Sequence, residues 1–128
     1  VGTVAHPEEG MTVAYGEYLA GPVAHCVECH SPMGPMGPDW KTQLGAGGFE
    51  FHGPWGVSVS SNLTTHPDDG ITHWSDAELT QMIVSGVRPG GQRMLPPMGY
   101  GYYAKARDED IAAIVMYLRT LPPLPWPE

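Results

Sequence analysis

Only two cysteines occur in the 128 residues, Cys26 and Cys29. That scarcity excludes a framework of several disulfides, and it excludes a zinc site built from two Cys-x-x-Cys pairs. A bridge between the two would close a very small loop and add little stability. Basic residues are also few: six Lys and Arg stand against fourteen Asp and Glu, for a net charge of −8 with histidine neutral. Nothing here can track a phosphate backbone, so nucleic-acid binding is not expected. No run approaches the ~18 apolar residues that a bilayer-spanning helix needs. No long strand pattern is visible, and only two stretches carry strong helical periodicity. The chain is rich instead in 17 glycines and 14 prolines, about a quarter of its length and high for a globular protein. Such a composition can bury little core made of its own side chains, and it calls for something else to pack around.

The two cysteines supply that something. They fall in Cys26-Val27-Glu28-Cys29-His30, the attachment pattern of a c-type haem. Two thiols one helical turn apart can add to the two vinyl groups on one edge of a porphyrin. The adjacent His30 then lies under the iron as proximal ligand. The rivals are weaker. A redox dithiol would want a βαβ pattern nearby. A zinc site would have to recruit His52, His66 or His73 at no usual spacing. A haem c also accounts for the composition, since it is a large apolar plate for Gly/Pro-rich loops to wrap. Thioether attachment takes place outside the cytoplasm in bacteria. The chain begins at Val1 with no visible signal peptide, so the expectation is a periplasmic or otherwise extracytoplasmic protein whose export signal has been removed.

Residues 1–11 read as an N-terminal extension. Thr12 to about Ala24 can form a helix leading into the haem motif, with Tyr15, Tyr18 and Leu19 on one face. Gly16 is costly inside that helix, and close approach of a second helix would be a reason to keep it. Residues 31–62 are loop, and Met33 and Met36 within them suit flexible filler against the porphyrin better than a metal cluster. Ser75-Asp-Ala-Glu78 is a capping box opening a helix to about Ser85, with Gly86 as its stop. Trp74 can pack on Leu79 or cover a haem edge. The last helix spans about Asp108 to Thr120, with Ile111, Ile114, Val115 and Leu118 inward and acidic residues in its first turn. The Pro-rich tail, 122–128, is extended, either along the body or as the stub of a linker.

These features together resemble class I c-type cytochromes. They are most similar to the cytochrome c domains of bacterial alcohol, aldehyde and gluconate dehydrogenase cytochrome subunits. The matching stretches are Gly16-Glu-Tyr-Leu19, Cys26 to His30, Gly53-Pro-Trp-Gly56, Ser61-Asn-Leu-Thr64 and Gly70-Ile-Thr-His-Trp-Ser-Asp76. Leu95-Pro-Pro-Met-Gly-Tyr100, Asp108-Glu-Asp-Ile111 and Tyr117-Leu118 complete them. The resemblance covers about residues 12 to 123. It departs at Arg107, where the family usually has a Ser or Thr cap that Asp108 could replace, and at Asn62-Leu-Thr-Thr-His66, where the family reads Asn-Ile-Thr-Pro-Asp. Those subunits commonly carry three haem domains, whereas this chain has one haem motif.

The resemblance implies an all-α fold, a small class I cytochrome c domain over 12–121 with three to four helices and long loops around one covalent haem, whose final helix crosses the first near Gly16. It implies Met98, in the family's Pro-x-Met-x-Tyr pattern, as distal iron ligand, with Met94 four residues away as the alternative. A histidine or an open site are further rivals. Met82 and Met116 sit on apolar helix faces and read as core, and Met11 is badly placed. Trp55, Asn62, Trp74, Arg88 and Tyr100 are candidates to line the haem or bond its propionates. His30 should donate its other ring proton to a backbone carbonyl, with those around Gly37 and Pro38 as plausible acceptors. The implied function is one-electron transfer between a dehydrogenase-type donor and a downstream cytochrome or oxidase, without catalysis by the chain itself. An acidic surface suits partners with a basic docking patch. The alternatives are an electron-entry domain excised from a larger multi-haem complex, and a haem enzyme or ligand sensor with an open distal site.

Overall fold

Thr12 opens the first helix by accepting the Tyr15 amide on its hydroxyl, and the computed structural model, which describes residues 2–3 and 6–128, gives α1 as Val13–Tyr18. The helix does not continue regularly to Ala24. Pro22 has no N–H to give the Tyr18 carbonyl, and the ladder widens into a π-helical turn, Leu19–Val23, in which the Ala24 amide reaches the Leu19 carbonyl at 2.7 Å. That turn re-aims the chain. His25, at φ 57°, reverses it, and α2, Cys26–Cys29, is one turn long.

Two small antiparallel hairpins follow, and they correct the all-α expectation. β1 (Met33–Gly34) pairs with β2 (Gly37–Pro38), and β3 (Glu50–Gly53) pairs with β4 (Gly56–Val59). Their signal in sequence is short, because turn chemistry dominates both. In the second, Gly53-Pro-Trp-Gly56 makes the turn and the Trp55 ring lies against Gly53, where a Cβ would come within 2.3 Å of it. The remaining helices are α3 (Asp76–Ser85), α4 (Tyr100–Tyr103) and α5 (Asp108–Leu118). Five α-helices are present among the described residues, of which α2 and α4 are single turns, so three to four was a slight undercount.

The capping box at Ser75 is formed with both of its bonds, and Gly86 ends α3 in the left-handed region at φ 68°. Arg107 keeps the N-cap position of α5 with no side-chain cap; Asp108 does not take it over. The Arg107 guanidinium instead bridges Asp110 in the first turn and Glu9 in the N-terminal segment.

The core lies where α1 crosses α5. Gly16 is the contact point: a Cβ there would stand 1.9 Å from the Ala113 carbonyl oxygen. Tyr15, Leu19, Ala20, Ile111, Ala113, Ile114, Tyr117 and Leu118 pack around it, and Ile71, Leu79 and Met82 extend the same cluster towards α3. Met82 is core as expected, but Met116 is 40 % exposed because it falls on the outer face of α5. The Pro-rich tail is not a free stub. The Leu124 backbone bonds to Thr64 and Asn62, the Trp126 amide donates to Asp69, and Leu121 just before the tail bonds to Thr65. No helix among the described residues is long and apolar enough to cross a membrane.

Candidate functional site

The core is open on one side. Ile71, Leu79, Met82, Ile114 and Leu118 belong to the buried cluster and also wall a cavity of about 640 Å³, a size typical of cofactor sites. α2 forms one edge and places Cys26, Cys29 and His30 on the lining. The β3–β4 hairpin closes a second side with Phe51, Val57 and Val59. The loop between α3 and α4 closes the third with Met94 to Gly99. Ser58 ties the last two walls together, donating from its hydroxyl to the Pro96 carbonyl at 2.5 Å.

His30 is held from behind. Its Nδ1 donates to the Ser61 carbonyl at 2.8 Å, which leaves Nε2 as the ring nitrogen available to the cavity. The Gly37 and Pro38 carbonyls are not the acceptors. That stretch turns away in the first hairpin, while the chain leaving β4 passes beneath the ring. Burial pulls the His30 pKa below its ordinary value, against a smaller opposing effect of the Ser61 bond, so the ring is neutral and able to ligate. Burial likewise pushes the Cys26 thiol up to about 11, and Cys29 is raised by burial and by Glu28. These are apolar surroundings for the sulfurs, suited to thioethers rather than to a reactive thiolate.

Of the other residues singled out in the sequence, Met98, Met94, Asn62, Trp74 and Arg88 line the cavity. Met94 also packs on the buried cluster, and its amide donates to the Gly86 carbonyl at 2.7 Å. Asn62 reaches the wall, and its amide group bonds to Thr64 through Oδ1 and to Leu124 through Nδ2. Trp55 is exposed over its own turn, and Tyr100 packs its ring against Gly86 under Arg93, so neither borders the cavity. Among the rival histidines, His73 stands at the rim, stacked at an angle on Trp74; His52 faces Glu50 and His66 accepts two amides of its own turn. Met33 and Met36 are exposed on the first hairpin and do not pack into the cavity.

Three features were not read from the sequence. The Ser61 carbonyl carries no side-chain signal. His25 borders the cavity beside the cysteines, with its Nδ1 paired to Glu28. Arg93 joins Arg88 on the lining because Gly90 and Gly91 fold residues 87–93 back on themselves, bridging Val87 to Arg93. The Gly-Gly pair was the available clue, since it favours a tight reversal.

The donor set fits the group that the Cys-x-x-Cys-His motif implies. Two sulfurs on one helical turn, an oriented imidazole, methionines on the lining and apolar walls leave room and chemistry for a covalent porphyrin.

Comparison with known proteins agrees. The cytochrome c family matches residues 13–122. The cytochrome c subunit of the quinone-type alcohol dehydrogenase of Gluconobacter oxydans is 30 % identical over 115 residues, covering 88 % of this chain and 22 % of the relative. The fructose dehydrogenase cytochrome subunit of Gluconobacter japonicus is 34 % identical, covering 84 % of this chain and 21 % of the relative. The gluconate 2-dehydrogenase cytochrome c subunit of Pantoea cypripedii is 35 % identical, covering 82 % and 22 %. The chain thus spans about a fifth of the length of these relatives.

Proposed function

This chain belongs to the cytochrome c family, an electron carrier rather than an enzyme, and we propose that it carries one haem c and passes single electrons from a dehydrogenase-type donor to a downstream cytochrome or oxidase. The haem, when bound, supplies an iron that cycles between two oxidation states; the rest falls to the chain's own residues. Cys26 and Cys29 fix one edge of the porphyrin as thioethers. His30 binds the iron through Nε2, with its orientation set by Ser61. Met98 would supply the second protein ligand to the iron. Two facts support Met98 over Met94: its side chain lines the cavity without belonging to the packed cluster, and the backbone of Met94 is anchored to Gly86. A soft thioether favours the ferrous state, so this ligation suits a high-potential carrier.

Phe51, Val57, Ile71, Leu79 and Ile114 would shield a bound haem from water. Arg88 and Arg93 line the cavity, and their guanidinium groups, now bonded to the Ser61 hydroxyl and the Ser85 carbonyl, are the cations that would meet porphyrin carboxylates with charge-assisted bonds. The net negative surface favours a partner with a basic patch, in small, salt-sensitive encounters. Thioether formation places the working protein outside the cytoplasm. The similarity to dehydrogenase subunits several times longer also supports the second reading, in which this domain is the electron entry of a larger assembly.

The observation that carries the proposal is the convergence of Cys26, Cys29, His30 and Met98 on one apolar-walled cavity. Intact-mass measurement of protein made with a haem-attachment system tests it. One covalently added haem per chain is expected, with attachment lost in a Cys26→Ser/Cys29→Ser variant. Attachment that survives this double substitution would refute it.

A further inference from the structure

The Ser61–Asn62 peptide is confined from every side. Its carbonyl receives the His30 Nδ1 proton at 2.8 Å. Gly47, at φ 77°, lies flat against it: a Cβ at Gly47 would come within 2.6 Å of the Ser61 carbonyl carbon and 2.7 Å of the Asn62 nitrogen. The Gly47 amide donates to the His30 carbonyl at 2.8 Å, so ring and backbone of His30 are referenced to the same point. On the far side Asn62, 3 % exposed, is bonded through both atoms of its amide group. Nδ2 donates to the Leu124 carbonyl at 2.8 Å, and Oδ1 accepts the Thr64 amide at 2.8 Å and the Thr64 hydroxyl at 2.7 Å. Thr64 is fully buried, and its oxygen accepts the Leu124 amide at 3.1 Å. Leu121 and Thr65 repeat the pairing one step away.

We propose that Asn62 is the positioning residue for His30: by bracing the Ser61–Asn62 peptide against the extended segment at Leu124, it fixes the carbonyl that receives the His30 ring proton. This rests on His30 being the proximal iron ligand. A buried amide bonded at both ends is expensive to leave half-satisfied, so the brace has one geometry. The chain beyond α5 thereby supports the His30 side of the site, although none of its residues lines the cavity. Donation from Nδ1 raises the basicity of the ligating Nε2 and stabilises ferric iron. Loosening the brace lengthens that bond, weakens the imidazole as a donor and favours the ferrous state.

The test uses the full chain with its haem attached. Asn62→Ala and Thr64→Val each remove part of the brace, and Thr64→Ser restores the hydroxyl. Two quantities are read: the midpoint potential, and the exchange rate of the His30 Nδ1 proton in the reduced protein by NMR. Asn62→Ala should raise the potential and speed that exchange about tenfold, as expected for one lost hydrogen bond, while amides of α5 keep their parental rates. Thr64→Val should move both quantities in the same direction by less, and Thr64→Ser should return them to the parental values. If Asn62→Ala holds no haem, Thr64→Val decides. Parental potential and exchange in the folded variants overturn the inference while leaving the ligation reading intact. A parent chain with attached haem but without an imidazole on the iron overturns both.

Discussion

Replacing Gly16 with alanine adds one methyl group at the crossing of α1 and α5. That Cβ would stand 1.9 Å from the Ala113 oxygen, 2.6 Å from the Ala113 carbonyl carbon and 2.9 Å from the Tyr117 Cβ. Ordinary carbon contacts begin at about 3.5 Å, so the helices must part by roughly 1.5 Å. Two of the three colliding atoms are backbone and cannot rotate aside. Parting loosens Tyr15, Ala113 and Tyr117, all buried at the crossing. Overpacking of this kind costs about 3 kcal/mol, the upper part of its usual range, and the better helix propensity of alanine returns about 1 kcal/mol. The net loss is about 2 kcal/mol, or roughly 6–10 °C in Tm for a domain of this size. Gly101, in α4, is the control: a Cβ there meets nothing within 4 Å, so Gly101→Ala should be neutral or stabilising by up to about 1 kcal/mol. Urea and thermal unfolding of both haem-loaded variants, followed by circular dichroism, measures the difference. A Gly16→Ala protein within about 0.5 kcal/mol of its parent would refute the argument from close approach.

Met98→Ala should remove the sulfur ligand and lower the midpoint potential, whereas Met94→Ala should keep the ligand and lose stability only; potentiometry with denaturant titration separates the two. Tyr103 donates its hydroxyl to the Ala24 carbonyl at 2.9 Å, and burial first, then in the haem-free chain the neighbouring cysteines, push its pKa up to about 12 from the ordinary 10.0. The neutral phenol is the form the fold prefers. Its contribution is complete below the unfolded value and fades as pH rises from 10.0 towards about 12. Tyr103→Phe should cost about 1 kcal/mol at neutral pH and remove this alkaline step from the unfolding profile. Arg119 donates to the Ile71 and Trp74 carbonyls and pairs with Asp76. Arg119→Ala should cost about 1.5–3 kcal/mol, most of it from the two carbonyls rather than the exposed carboxylate, and it should change the emission of Trp74 in haem-free protein.

Much of this arrangement was legible in the sequence where a side chain carries the signal itself. The spacing from Cys26 to His30 states its chemistry, the Ser75 box states a helix start, and Gly16 announces a helix crossing by being expensive. What stayed hidden is made by backbone. The π-helical turn at Leu19–Val23 follows from a missing N–H at Pro22, and no periodicity reports it. The Ser61 carbonyl could have come from any residue passing under His30. Asn62 reaches the cavity wall, but its burial between Thr64 and Leu124 required knowing that the tail folds back. Trp55 and Tyr100 lay their rings on Gly53 and Gly86, contacts that neither residue's position in the sequence announces.

The visible spectrum of the oxidised and reduced protein, recorded with attached haem, bears most directly on His30 and Met98 as the axial pair. A low-spin ferric spectrum with the weak sulfur-to-iron band at its red end, lost in Met98→Ala and kept in Met94→Ala, is the predicted result. A high-spin ferric spectrum would mean an open distal position and a ligand-binding role. A low-spin spectrum without the band would mean a nitrogen ligand, with His73 at the cavity rim the residue to replace next.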